Sequence, residues 1–84
     1  MRLSDLPNGA RARVTSLVSS SLEVDTSTLR RLGELGFLPG EELLLLRRGP
    51  GGREPLAVQV GDSLFALRLL EAECVLVEPQ QASA

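Results

Sequence analysis

The sequence predicts a mainly β fold with one inserted helix, rolled into a small, partly open barrel. Three observations carry this reading: five short apolar segments of strand length, one helical repeat between the first two, and a tight hairpin signal near the end. The 84 residues suffice for one domain. A domain of this size buries only about 60 to 65 per cent of the surface its unfolded chain exposes, so the core is expected to be one thin layer.

Leu3, Leu6 and Gly9 lead into a first strand over Ala10–Val18, where Ala12 and Val14 alternate with Arg11, Arg13 and Thr15 to give one wet face. Ser19, Ser20 and Ser21 read as a short loop. The helix follows. Its N-cap is Asp25, with Val24 and Leu29 placed for a hydrophobic staple, and Ser27 is the competing cap. Leu29, Leu32 and Leu35 recur at helical spacing, Gly36 offers the positive φ that stops a helix, Phe37 folds back, and Pro39-Gly40 make a turn. Gly33 is unusual in mid-helix, and a close approach to the barrel or to another protein would account for it.

Glu42–Arg48 holds four consecutive leucines, Leu43 to Leu46, a continuous apolar run that predicts a strand covered on both faces. Gly49-Pro50-Gly51-Gly52 ends it as a flexible loop. Leu56, Val58 and Val60 alternate with Ala57 and Gln59, Gly61-Asp62 suits a two-residue turn, and Leu64–Leu67 completes a hairpin. Glu71-Ala72 fits one helical turn. Cys74–Val77 reads as a buried last strand ended by Pro79, with Gln80–Ala84 a frayed tail. Together these elements make a single barrel of the SH3-like kind over residues 1–79.

Composition excludes several kinds of chemistry. Hydrophobic residues make up 43% of the chain, yet there are two Phe and no Trp or Tyr, which weakens base stacking, sugar stacking and grip on proline-rich peptides. Nine arginines against eleven acidic residues give a net charge of −2, the wrong sign for steering onto nucleic acid. With no His and no Lys, neither Cys74 nor any serine has a base to activate it, and a transition metal would find no imidazole ligands. Glu41-Glu42 and Glu71-x-Glu73 are expected on the solvated surface. The Gly49–Gly52 loop lacks the Lys and Ser/Thr of a phosphate-cradling loop. No enzyme, metal site or cofactor is expected. One unpaired cysteine, no export signal and no run approaching the roughly 18 apolar residues of a membrane span predict a soluble cytoplasmic chain.

Leu3-x-x-Leu6-x-x-Gly9 with Ala12-x-Val14, then Arg30-Arg31-Leu32 and Glu34-Leu35-Gly36-Phe37-x-Pro39-Gly40, then Gly61, Ala66-Leu67-Arg68 and Glu71-Ala72 stand in the order of the ferrous iron transport protein A (FeoA) family, which the chain resembles over nearly its whole length. It departs from that pattern at Gly49–Pro55, where the Gly-Asp-Pro ending is missing. The resemblance implies an SH3-like barrel in the bacterial cytoplasm that supports a membrane ferrous iron transporter carrying a cytosolic GTPase domain, so that membrane association is indirect. Related domains at the end of iron-dependent repressors make a nucleic-acid-binding or transcription-regulator-associated module the alternative, although no recognition helix or aromatic platform is present.

What remains is a binding surface. Arg30, Arg31 and Glu34 on the helix, with Arg47, Arg48 and Arg53 around the glycine loop, are the candidate partner-binding residues, because guanidinium groups pair bidentately with carboxylates. Arg30 and Glu34 also have the spacing of an i,i+4 pair, and Arg68 and Glu71 that of a local structural pair. Self-association is left open by the sequence.

Overall fold

The computed structural model describes residues 1–19 and 24–80; Ser20 and Ser21 of the expected loop, and 81–84 of the expected tail, lie outside them. Five strands form one antiparallel sheet: β1 (Arg11–Leu17), β2 (Glu42–Arg48), β3 (Leu56–Val60), β4 (Ser63–Leu67) and β5 (Val75–Gln80), in the spatial order β4-β3-β2-β1-β5. The sheet is curled but not closed, so β4 and β5 are its two ends, as a partly open SH3-like barrel requires. Helix α1 (Thr26–Leu35) joins β1 to β2, and a single turn, α2 (Leu69–Ala72), joins β4 to β5.

Helix α1 starts and stops where its chemistry dictates. The Asp25 carboxylate accepts the Thr28 backbone N–H at 3.0 Å and the hydroxyls of Ser27 at 2.8 Å and Thr28 at 3.1 Å, so Asp25, not Ser27, is the cap. Those hydrogen bonds, the Ser27 hydroxyl foremost, hold its carboxyl below the usual carboxylate range. At the other end Gly36 takes φ 118°, a conformation that favours glycine, and the Phe37 N–H turns back to the Leu32 carbonyl at 3.1 Å. Phe37 is thereby driven into the core, its ring 5.8 Å from that of Phe65. A Cβ on Gly33 would meet only Leu38 and Leu17 at ordinary contact distances of 3.8 and 3.9 Å, so no close approach there requires a glycine.

The core is aliphatic around that Phe37. Leu3, Leu6, Leu32, Leu45, Leu56, Leu67, Val14, Val58, Val75 and Cys74 are essentially without solvent contact. Leu3 and Leu6 reach it from a 3₁₀ turn at Leu3–Asp5. In β2, however, only Leu43 and Leu45 face inward; Leu44 is half-buried and Leu46 is 39% exposed. The four leucines are therefore covered on one face rather than two, because side chains alternate along a strand and α1, the only long helix among the described residues, packs near β1 instead of across the outer face.

A second expectation also fails. Pro79 does not end the last strand but sits inside β5 opposite Ala12. The Val77 N–H, two residues earlier and therefore pointing the same way, leaves the sheet to bond the Met1 carbonyl at 2.7 Å, so the N–H that proline lacks would have faced outward. The β3–β4 hairpin agrees with its signal: Val60 pairs with Ser63, and Gly61 takes φ 58° in the two-residue turn. The segment after β2 is held rather than loose. It makes a 3₁₀ turn at Pro50–Gly52, the Gly49 N–H donates to the Pro55 carbonyl at 2.8 Å, and a Cβ on Gly49 would collide with the Glu54 carbonyl.

Candidate functional site

The six candidate residues fall into two groups, and the structure gives them different tasks. On α1, Arg30 pairs with Glu34 at 3.3 Å along an exposed helix face, the i,i+4 contact expected from spacing and worth only about 0.3–0.5 kcal/mol. Arg31, one residue on, reaches across to α2, where its guanidinium donates to a Glu71 carboxylate oxygen at 2.6 Å. The other Glu71 oxygen accepts the Arg68 backbone N–H at 2.8 Å. Glu71 is thus the joint between α1 and α2. Its side chain is only 12% exposed, which corrects its placement on the solvated surface. The Arg68–Glu71 pair exists, but through the backbone of Arg68.

Around the β2–β3 connection the division repeats. Arg48 donates to the Ser4 and Leu6 carbonyls at 2.5 and 2.8 Å, clamping the 3₁₀ turn that carries Leu3 and Leu6 into the core. Arg47 and Arg53 are exposed and make no ion pair among the described residues. Arg47 lines a shallow hollow with Pro50, Pro55 and Ala57. Sequence reasoning missed one functional tie here: the Glu54 carboxylate accepts the Leu69 N–H at 3.0 Å and so fastens the loop to the first turn of α2. Fifteen residues separate the two, and only the acidic residue next to Pro55 hinted at it.

Two further exposed features extend beyond the sequence candidates. One is the outer face of the sheet, where Leu64 is 63% exposed and stands in register with Gln59 and Leu44. The other is a cleft of about 390 Å³ between the start of α1 (Val24, Thr28, Arg31), the end of β4 (Ala66, Arg68) and α2. Cys74 is buried with its thiol donating to the Leu70 carbonyl at 3.3 Å, the packed position expected of it. Glu42 is paired with Arg13 at 3.1 Å and Glu41 is exposed. Among the described residues no three His, Cys, Asp or Glu side chains converge as a metal site, and no helix is long and apolar enough to cross a membrane.

Comparison with known proteins follows the same outline. The family model for the FeoA domain matches residues 1–79. The crystal structure of Stenotrophomonas maltophilia FeoA complexed with zinc is similar at 46% identity and a TM-score of 0.81, over 93% of this chain and 89% of that one. That protein is described as a unique prokaryotic SH3 domain protein and a possible bacterial ferrous iron transport activating factor. The solution structure of FeoA from Chlorobium tepidum is similar at 34% identity and a TM-score of 0.83, over 100% of this chain and 74% of that one. A manganese-dependent transcriptional repressor shares the fold alone, at 18% identity and a TM-score of 0.78 over 95% of this chain and 41% of the repressor. Comparison with curated protein sequences returns no significant match.

Proposed function

The chain belongs to the FeoA family, small SH3-like accessory domains of ferrous iron transport, and from that premise we propose that it is a non-catalytic cytoplasmic module that docks on the GTPase-bearing cytosolic region of a membrane ferrous iron transporter and regulates it. The description of the Stenotrophomonas relative as a possible transport activating factor supports the setting. The observation that carries the docking surface is the contrast among the arginines. Arg31 and Arg48 are held by Glu71 and by backbone carbonyls, whereas Arg47 and Arg53 are exposed and make no ion pair among the described residues, Arg47 beside a proline-lined hollow. A guanidinium left without an internal partner is available to a carboxylate on another protein.

Titration of the protein against the transporter's isolated cytosolic domain, with and without guanine nucleotide, tests this reading. Arg47→Glu combined with Arg53→Glu weakens binding by about tenfold, through repulsion of an acidic surface. Arg30→Glu weakens it less, because Glu34 already neutralises that site. Unchanged binding in the double variant would move the docking face elsewhere, and absence of binding in every nucleotide state would remove the partner.

A further inference from the structure

The two ends of the sheet differ in how they treat their free backbone groups. Val60 and Ser63 face each other across a two-residue turn and therefore exchange hydrogen bonds, as do Val58 with Phe65 and Leu56 with Leu67. The intervening residues of β4, Leu64 and Ala66, direct their N–H and C=O groups away from β3. No backbone group among the described residues bonds to them. Their side chains are exposed as well. Natural edges are blunted by charge, proline, a bulge or a covering segment. Among the described residues β4 has none of these: Ser63–Leu67 carries no charged residue and no proline, and its register with β3 is unbroken.

Beside this edge runs the cleft to which Ala66 contributes. Across it stand Thr28 and Arg31 of α1, so the groove has a second wall. Its charge is unbalanced. Both oxygens of Glu71 are taken by Arg31 and by the Arg68 N–H, while the Arg68 guanidinium has no ion pair among the described residues. Val24, Ala66 and Leu70 supply apolar surface for an alternating side chain.

We propose that the free edge of β4 takes up one extended segment of a partner protein by β-augmentation, with an acidic side chain of that segment set against Arg68. Main-chain hydrogen bonds to Leu64 and Ala66 supply the affinity and the Arg68 guanidinium supplies the preference. The inference does not depend on the identity of the transport partner.

The probe is a capped eight-residue peptide of alternating valine and threonine with one central glutamate, added to the ¹⁵N-labelled full chain. Binding shifts the amide signals of Leu64 and Ala66 first, and the glutamate peptide binds about fivefold more tightly than its glutamine counterpart, the factor of an exposed ion pair. A peptide N-methylated on the residues whose N–H groups face β4 does not bind. Arg68→Glu, at an exposed side chain, abolishes the preference for glutamate. The proposal is overturned if those two amides do not respond at millimolar peptide, if glutamate and glutamine bind alike, or if N-methylation has no effect. A concentration-dependent dimer dispersed by Ala66→Pro, seen by sedimentation, would assign the edge to a second copy instead and overturn it equally; circular dichroism verifies that this variant folds.

Discussion

β5 and β4 are both edges of one sheet, yet they are defended to opposite degrees. The outer side of β5 is bridged by Arg2 at Leu76, its Val77 N–H is taken by the Met1 carbonyl, Pro79 removes a donor, Glu78 adds an exposed charge, and its pairing with β1 is bulged between Val14 and Ser16. β4 carries no charge, no proline and no bulge, and presents Leu64 to solvent. A chain able to protect one edge in several ways and leaving the other bare keeps that second edge for contact rather than for stability. The difference lies at the surface, because both strands hang from the same central leucines.

If that is so, damage to the shared centre outweighs any change at either edge. Leu45→Ala in β2, where the side chain is fully buried, lowers the unfolding free energy by about 2–5 kcal/mol in chemical denaturation. A loss below about 1 kcal/mol would show that the two halves do not share one core. Glu71→Gln comes next, since α2 carries the chain from one edge to the other and its carboxylate holds Arg31 and the Arg68 N–H. Loss of hydrogen bonding to a charged group costs about 1.5–3 kcal/mol, read from the same titration; an unchanged midpoint would mean that the joint is ornamental.

The edges themselves are compared by exchanging their character. Leu64→Lys changes stability by less than about 0.5 kcal/mol, as exposed substitutions usually do, but lowers aggregation on heating, whereas Glu78→Val raises it. Light scattering during a thermal ramp gives both, and equal behaviour of the two variants would erase the distinction between the edges. Smallest and most local is the effect of acid. Asp25 has its carboxyl lowered by the cap hydrogen bonds, so its contribution is present above its unfolded value and is lost as pH falls through the folded one, below the usual carboxylate range. Amide exchange at Thr28, on the far wall of the β4 cleft, accelerates in that window while Val77 on the β5 side keeps its protection. Loss of both together would point to global unfolding instead.

Much of this fold was legible because its signals are local. The Asp25 cap, the Gly36 stop, the Gly61-Asp62 turn and the alternation of β3 each depend on neighbours within four residues. Four leucines in a row carry no period, so nothing within β2 told which of them face the core; that was decided by the lack of a helix over the outer face. Pro79 likewise reads as a stop until its strand is known to be an edge. The site was legible by residue type and illegible by role. Arg31 and Arg48 looked the same as Arg47 and Arg53, but their partners lie 40 or more residues away, at Glu71, Ser4 and Leu6.

The bond from Glu54 to the Leu69 amide makes the arginine loop and the short helix mechanically continuous. Whatever grips Arg53 takes hold one residue from that carboxylate, which is itself bonded at the first turn after β4, beside Arg68. Two surfaces that look separate on the outside of the molecule are thus joined by one hydrogen bond.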